Sequence, residues 1–383
     1  MKYTLIIDGH NFLFRSLYVL PQKKDVKILS DKESKDLFVS KLEQNINAVL
    51  RDMEPIVDRC VITLDSQSWR KSILSDVDYK GTRHQEETID WDGFAECMHN
   101  FVSGLDKYNI TVSKTKQAEA DDLIFYWSHL LNNKGIPVII YSSDKDMLQI
   151  VGVTDKKTDT LLYSDVTKKI YVPVGFEKIA KQDNVSIYES FAAGASYEVY
   201  DRFAHLKSLI NKRKLEMIEV DSEHFRFVKV LTGDKSDNIS SVYSYEKNGR
   251  TFNVTEAKAE KILEDFTSKV GALNSEYLYV DDTIGVLAES CSNVLKLEGE
   301  NKNVADNIRR NVKYMMLSLN VIPTDVADNM LTDIRELAKR MKRVNFTPAH
   351  TAPESIVKKT SGIFKGVDTS DMSFIKPDKN TLF

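Results

Sequence analysis

Three short apolar segments each run into an aspartate, and this pattern constrains the fold more than any other feature of the sequence. The three pairs are Tyr3–Ile7 with Asp8, Cys60–Leu64 with Asp65, and Pro137–Tyr141 with Asp144. Helical patterns separate the segments, and apolar strands that alternate with helices predict a mostly parallel sheet covered on both faces. Because the carboxyl ends of parallel strands open at one edge of a sheet, we expect the three aspartates to gather there.

Length and charge limit what such a fold can do. The chain has 383 residues and is 42% hydrophobic, enough for one large domain or two ordinary ones with real cores. Its formal net charge of −4 argues against a protein that coats nucleic acid through overall positive charge. Any binding of nucleic acid must use local basic patches.

The three cysteines, Cys60, Cys97 and Cys291, form no C-x-x-C pair, so neither a zinc site nor a disulfide framework is predicted. The first residues contain too short an apolar stretch for a signal peptide. No apolar run approaches the roughly 18 residues of a membrane-spanning helix. We therefore expect a soluble, cytoplasmic protein with no membrane association.

Further acidic residues occur in three short clusters, each of which has an ordinary structural interpretation. Glu119, Asp121 and Asp122 begin a predicted helix, where acidic side chains favour the helix dipole. Asp144 with Asp146 could form a surface turn, and Asp234 with Asp237 could end a loop in a helix cap. Taken together with Asp8 and Asp65, however, the clusters provide about as many carboxylates as two bridged divalent ions require.

Four motifs carry a resemblance to a known family, and they occur in the family's order. They are Ile7-Asp8-Gly9-His10-Asn11 with Arg15-Ser16, Glu119-Ala120-Asp121-Asp122, Ser143-Asp144-Lys145-Asp146 with Gln149, and Gly233-Asp234-Lys235-Ser236-Asp237-Asn238-Ile239. The set resembles the 5′→3′ exonuclease and flap endonuclease family, and within it the T-even phage ribonuclease H type of 5′ nuclease. The match covers roughly residues 1–180 and 224–340.

This resemblance implies an α/β fold with a PIN-like (resolvase-like), mostly parallel sheet flanked by helices, followed by a helical DNA-binding domain. The implied segments are a catalytic domain at 1–182 with an arch at 66–88, a helical insertion at 183–222, a helical C-terminal domain at 223–345 with a modified helical hairpin, and a flexible tail at 346–383.

The resemblance also implies a two-metal 5′ nuclease that uses Mg²⁺, with Mn²⁺ able to substitute. The implied metal ligands are Asp8, Asp65, Glu119, Asp121, Asp122, Asp144, Asp146, Asp234 and Asp237. The first ion would draw mainly on Asp8, Asp65, Asp121 and Asp144, and the second on Asp234 and Asp237 through water. Expected partners are branched, nicked or flapped duplex DNA and RNA·DNA hybrids, together with a single-strand binding protein and a sliding clamp.

Cations of the arch and first helix complete the expected site. Lys80, Arg83 and Arg15 are expected to approach the scissile phosphate and offset transition-state charge. The alternatives are a solvated loop for the arch and a salt bridge for Arg15. Tyr79 is expected to stack on an unpaired base, and Arg70 and Lys71 to bind DNA. His10 lies near Asp8, but Mg²⁺ prefers oxygen ligands.

The sequence departs from the family after Asn238. Ser240–Asn253 contains only one glycine, which makes a tight glycine hairpin and K⁺ binding doubtful. Lys247, Arg250, Lys258 and Lys261 are the remaining candidates for contact with duplex. The insertion carries Lys207, Lys212, Arg213 and Lys214, which either extend the duplex-binding face or lie on a solvated helix. The terminal Leu382-Phe383 resembles sliding-clamp-binding tails, with a disordered end as the alternative.

Two other functions remain open. A PIN-type ribonuclease would share the aspartate-ended sheet but lack the arch and the Gly233–Asn238 segment. A non-catalytic DNA-binding relative would keep the fold without Mg²⁺-dependent cleavage, although clustered acids without a metal would destabilise it.

Overall fold

A computed structural model describes residues 2–22, 26–74, 77–81, 87–153, 159–176, 202–247, 250–297 and 301–346. Of the expected features, Arg83, the first part of the insertion (183–201) and the tail beyond Phe346 lie outside the described residues. No helix in the described ranges is long and apolar enough to cross a membrane.

An eight-stranded sheet forms the centre of the first half, with strands in the order β3-β2-β1-β4-β6-β7-β8 and β5 paired to β6. The strands are β1 (Tyr3–Asp8), β2 (Val57–Thr63), β3 (Thr111–Ser113), β4 (Val138–Tyr141), β5 (Gly152–Val153), β6 (Asp159–Ser164), β7 (Lys169–Pro173) and β8 (Glu216–Val220). Strands β3, β2, β1, β4 and β6 pair in parallel in that order, whereas β5 and β7 each pair antiparallel with β6. The expected mostly parallel sheet is confirmed.

Alternate residues of the central strands enter two separate cores because successive side chains of a strand point to opposite faces. On β1, Leu5 and Ile7 belong to one core, whereas Ile6 belongs to the other. Cys60 and Val61 of β2 divide in the same way. Both faces are therefore buried, which explains why the strands are continuously apolar in sequence.

Helices cover both faces. In chain order the helices are α1 (Gly9–Leu17), α2 (Lys32–Met53), α3 (Trp69–Ile73), α4 (Trp91–Ser103), α5 (Ala120–Asn133), α6 (Arg202–Arg213), α7 (Ser222–Thr232), α8 (Glu256–Val270), α9 (Asp281–Leu295), α10 (Asn301–Met315) and α11 (Thr324–Arg340). Helices α2 and α4 pack on the core that contains Leu5, and α5 and α11 pack on the core that contains Ile6.

The C-terminal half is helical, as expected. Side chains of α7 to α10 form a third core around Phe227, Ile262 and Phe266. Its one described β-element is a hairpin of β9 (Ser244–Lys247) and β10 (Arg250–Asn253), which pair antiparallel. A modified helical hairpin was expected here, and this expectation is wrong, because the described residues form a β-hairpin.

The insertion was expected to be helical, and α6 agrees with this expectation, but the last residues of the insertion do not. After α6, residues Glu216–Val220 form β8, which pairs in parallel with β7 and extends the sheet. Leu206 and Leu209 of α6 enter the same core as Leu5, so burial of apolar surface fixes α6 against the sheet.

The basic residues of the insertion do not form one DNA-facing group. Lys212 and Arg213 pair with the buried carboxylate of Asp52. The Lys207 ammonium lies 5.2 Å from the ring centre of Phe203. These contacts favour the interpretation of a solvated helix over that of a duplex-binding face.

The two halves are connected through the end of α10. The Gln149 side chain donates to the carbonyl of Met315 (3.1 Å) and accepts from the amide of Leu317 (3.1 Å). The carbonyl of Tyr314 accepts from Arg70 Nε at 2.9 Å, and its hydroxyl accepts from the amide of Val77 at 3.2 Å. These contacts fix the arch and the strand edge against the helical half.

Candidate active site

Asp8 ends β1 and caps α1, and both roles place its carboxylate at the sheet edge. Its Oδ1 accepts from the amide of Asn11 at 3.1 Å, and its Oδ2 accepts from the hydroxyl of Ser142 at 2.8 Å. Burial is the main reason that its pKa is raised to about 7, and the negative charges of Asp144 and Asp65 add to the effect. A carboxylate in this position favours a nearby positive charge.

Asp144 follows β4 at the same edge. Its amide donates to the hydroxyl of Ser142 at 3.0 Å, and its own Oδ1 accepts from the amide of Asp146 at 2.8 Å. Ser142 thus connects the ends of the two parallel strands. Burial raises the pKa of Asp144 as well.

Asp65 connects the end of β2 to the start of α5. Its Oδ1 accepts from the amide of Ala120 at 2.6 Å, and its amide donates to Nδ1 of His10 at 3.1 Å. Burial lowers the pKa of His10, which favours the neutral ring. His10 therefore supports Asp65 by hydrogen bonding.

Eight of the nine expected metal ligands line one cavity of about 410 Å³. They are Asp8, Asp65, Glu119, Asp121, Asp144, Asp146, Asp234 and Asp237. The cavity lies between the sheet edge and the Gly233–Asn238 loop, and Lys80 and Lys229 also contribute to its wall. The sequence clusters that could each have been ordinary surface features are therefore brought together.

Asp122 is the exception, and its assignment as a metal ligand is wrong. Its side chain is fully buried, accepts from Trp69 Nε1 at 3.0 Å, and receives two hydrogen bonds from the Arg70 guanidinium. With Glu119 it also forms a capping box at the start of α5. Asp122 is thus an ordinary acidic residue at a helix start. Consecutive residues of a helix point about 100° apart, so Asp122 points away from the cavity that Asp121 lines.

Arg70 was expected to bind DNA, but it is buried with 2% of its surface exposed. Its guanidinium pairs with Glu119 at 2.8 Å and with Asp122 at 3.0 Å. A guanidinium held by two buried carboxylates is a structural cation. Its neighbour Lys71 is exposed, so contact with DNA stays a prediction for that residue.

Tyr79 and Lys80 both contact Glu119. The Tyr79 hydroxyl lies 3.2 Å from Glu119 Oε2, and its buried ring packs against Tyr314 with centroids 5.6 Å apart. Stacking of Tyr79 on an unpaired base is therefore contradicted. The Lys80 ammonium donates to Glu119 Oε1 at 2.5 Å and lines the cavity. Although burial acts against ionisation of Glu119, Lys80 and Arg70 lower its pKa to about 2.

Arg15 lies apart from the cavity lining. Its guanidinium donates to Asp165 at 3.2 Å and to the Tyr141 hydroxyl at 3.1 Å. This is the salt bridge that the sequence left open as the alternative, and a role at the phosphate stays a prediction.

Lys229 is a site residue that the sequence analysis missed. Its ammonium pairs with Asp146 and lies 2.9 Å from Asp234 Oδ2. Burial would lower its pKa, but the two carboxylates hold it well above the usual range. A single lysine inside the apolar run Phe227–Leu231 was the available signal, since a charge on a buried helix face requires a partner.

Asp146 and Asp234, which both pair with Lys229, have pKa values shifted in opposite directions. Burial raises the pKa of Asp146 to about 7 in spite of Lys229, whereas Lys229 and Ser236 hold the pKa of Asp234 below its usual value against the effect of burial. The Asp237 amide donates to Asp234 Oδ1 at 3.4 Å, and the Asp237 carbonyl accepts from the amide of Lys80 at 3.0 Å. The arch therefore contacts this loop directly.

The donor set fits Mg²⁺ or Mn²⁺ because it consists of carboxylate oxygens. Burial and neighbouring carboxylates raise the pKa of four of them: Asp8, Asp121, Asp144 and Asp146. Within the described ranges, however, no three acidic, histidine or cysteine side chains already converge closely enough to hold an ion. Protein cations and backbone amides hold several of these carboxylates instead.

Residues 3–182 match the family described as 5′-3′ exonuclease, N-terminal resolvase-like domain. This segment of the chain belongs to the 5′-3′ exonuclease family. The matched segment contains β1 to β7 and six of the eight carboxylates that line the cavity, whereas Asp234 and Asp237 lie beyond it.

Two curated relatives illustrate the range of the family. The chain is 24% identical over 295 residues to DNA polymerase I of Streptococcus pneumoniae serotype 4, covering 76% of this chain and 28% of that protein. It is 33% identical over 153 residues to flap endonuclease Xni of Shewanella frigidimarina, covering 39% of this chain and 52% of that protein. The chain thus spans about half or less of the length of these relatives.

Among solved structures, the zinc-bound T5 5′-exonuclease matches over 88% of this chain and all of that one, with a TM-score of 0.51 and 18% identity. At this identity the likeness concerns the fold. It extends into the helical half, beyond the residues of the family match.

Proposed function

We propose that the chain is a divalent-metal-dependent 5′ nuclease that hydrolyses phosphodiesters near the 5′ ends of duplexes and at flap junctions. The observation that carries this proposal is the convergence of eight carboxylates from five separate segments on one cavity. Because the family is defined by 5′-3′ exonucleases, nucleic acid is the substrate class that fits the cavity. Residues 1–182 would form the catalytic domain and 223–345 the helical DNA-binding domain.

Two Mg²⁺ ions, or Mn²⁺ in their place, would lower the pKa of the attacking water and stabilise the leaving oxygen. Asp8, Asp65, Asp121 and Asp144 would hold the first. Asp146, Asp234 and Asp237 would serve the second. An ion at the second position competes with Lys229 for the same carboxylates.

Lys80 is placed to act on the substrate because its ammonium already lies in the cavity wall. A scissile phosphate would attract this ammonium away from Glu119, which keeps Arg70 as its counter-ion. Arg83 and Arg15 are proposed to add positive charge near the phosphate. For Arg15 this requires release from Asp165.

The proposed substrates are branched, nicked or flapped duplex DNA and RNA·DNA hybrids, which would make the enzyme also a ribonuclease H. Its place would be primer and flap removal during phage-type DNA replication in the cytoplasm, beside a single-strand binding protein and a sliding clamp. The similarity to a flap endonuclease and to a DNA polymerase supports a role in replication.

The decisive experiment is cleavage of a 5′-labelled flap duplex with Mg²⁺ and with EDTA, beside a nicked duplex, an RNA·DNA hybrid and linear single-stranded RNA. We expect Mg²⁺-dependent cleavage of the branched substrates. Preference for linear RNA would favour the PIN-type ribonuclease. Binding without cleavage in Mg²⁺ or Mn²⁺ would favour the non-catalytic relative.

Asp121→Asn should abolish this cleavage while binding persists. We expect a loss well over about a hundredfold, because residues that merely orient metal ligands already contribute about 10- to 100-fold. Asp282→Asn is the matched control, since Asp282 is also the second residue of its helix but is exposed. Retention of most activity by Asp121→Asn would refute the metal assignment.

A further inference from the structure

The β9–β10 hairpin exposes two stacked aromatic rings. Tyr245 and Phe252 face each other across the hairpin, with ring centroids 5.2 Å apart and planes inclined by 13°. Their relative exposures are 40% and 39%. Side chains of this size gain free energy when they leave water, so an exposed pair is a candidate contact surface.

No other aromatic side chain in the described ranges is among the exposed large hydrophobics. The remaining members of that group are aliphatic and scattered: Val19, Val26, Leu37, Val174, Val280 and Leu319. Single exposed aliphatic residues are common in soluble proteins and need no function. The paired rings of the hairpin therefore differ in kind from the rest of the surface.

The hairpin is firmly attached beside the cavity. The Ser241 hydroxyl donates to the carbonyl of Tyr243 at 2.6 Å and accepts from the amide of Val254 at 3.2 Å, which closes the base of the hairpin. Asn307 donates to the carbonyl of Val242 at 2.9 Å. Glu256, at the start of the helix that follows β10, lines the cavity itself.

Positive charge accompanies the rings. The Lys258 ammonium lies 6.0 Å from the ring centre of Tyr245, and Arg250 and Lys261 are exposed on the hairpin and the following helix. Glu260, on the same helix, is paired with His224 at 2.8 Å. Aromatic rings beside cations are the combination by which proteins bind single-stranded nucleic acid.

We propose that the hairpin is a stacking platform for an unpaired base of the nucleic-acid substrate, with Phe252 and Tyr245 contacting the base and Arg250, Lys258 and Lys261 contacting phosphates. An intact duplex hides the faces of its bases, so the platform would select substrates with a single-stranded arm beside the duplex. This proposal rests on the proposed function, because it concerns the substrate of that site.

The test measures binding without cleavage, in Ca²⁺ or EDTA, by fluorescence anisotropy. The probes are a blunt duplex and the same duplex with a single-stranded arm of DNA or of RNA. Phe252→Ala should weaken binding of the arm-bearing probes by about tenfold, as expected for the loss of one stacked base. Binding of the blunt duplex should change less than about twofold. Leu319→Ala, an equally exposed apolar residue outside the hairpin, is the control and should bind as the wild type does.

Phe252→Trp provides a second readout that does not depend on affinity or activity. Stacking should quench the introduced indole when an arm-bearing probe is added, and the blunt duplex should leave its emission unchanged. The platform would be overturned if Phe252→Ala weakened the binding of the blunt and the arm-bearing probes equally. It would also be overturned if the indole emission of Phe252→Trp did not change when an arm-bearing probe was added. If the wild type cleaves flaps while these results fail, only the platform is refuted. If quenching occurs without any cleavage, the nuclease proposal fails instead.

Discussion

Asp121 and Asp122 are neighbours in one motif, yet they lie in opposite electrostatic environments. Asp122 is fully buried and held by Arg70 and Trp69. Asp121 faces the cavity, where burial and the charges of Asp144 and Asp8 raise its pKa well above the usual value. The cation that neutralises Asp122 is Arg70 of the protein itself, whereas Asp121 belongs to a group of carboxylates that favours a cation from solution. This difference separates structural acids from functional ones.

The strongest test of this difference removes the Arg70 guanidinium, which is the cation that pairs with Asp122. Arg70→Met should lower the free energy of unfolding by about 3–5 kcal/mol, because Glu119 and Asp122 would become buried charges without their guanidinium. Urea unfolding in EDTA measures the change. Lys71→Met, on the exposed neighbour in α3, should stay within about 0.5 kcal/mol of the wild type. Similar effects of the two variants would mean that the Arg70 pairs do not stabilise the fold.

Neutralising each aspartate in turn should change stability in opposite directions. Asp122→Asn should cost about 1.5–3 kcal/mol, the range for hydrogen bonds to charged groups. Asp121→Asn should increase the free energy of unfolding in EDTA by roughly 1 kcal/mol, because it removes like-charge repulsion. Urea unfolding at pH 7.5 gives both values. If both variants are destabilised equally, the two acids do not differ as described.

A smaller effect should appear in the pH dependence of thermal unfolding. Asp8 and Asp146 bind a proton more tightly in the folded chain, where each pKa is about 7 rather than 3.8. Their contribution to stability is therefore complete below about pH 4 and is lost as pH rises through about 7. The proposed Mg²⁺ ions would bind the ionised carboxylates, so Mg²⁺ should raise Tm by several degrees at pH 8 and much less at pH 5.5.

Differential scanning fluorimetry with Mg²⁺ or EDTA at each pH measures this shift. Asp8→Asn should reduce both the fall of Tm between pH 5.5 and 8 in EDTA and the gain from Mg²⁺. An equal gain at both values of pH would argue against ion binding at these carboxylates.

Much of the sheet and the cavity could be predicted from sequence, because β1, β2 and β4 are short buried strands and parallel strands share an edge. The different environments of Asp121 and Asp122 could not be predicted. They depend on the direction in which the first turn of α5 faces and on Arg70, which lies about fifty residues away in sequence. β8 was missed because Glu216–Val220 is partly exposed and mixes charged with apolar residues. Lys229 was missed because its partners come from two different loops.

The contacts of Tyr314 and Gln149 have a consequence for dividing the molecule. A fragment that stopped at residue 182 would keep β1 to β7 but lose β8. It would also lose Tyr314, whose carbonyl accepts from Arg70 and whose hydroxyl accepts from the amide of Val77. It would also expose the face of α5 that α11 covers. The two halves therefore complete each other's contacts, and we expect a chain cut near residue 182 to be less stable than the whole protein.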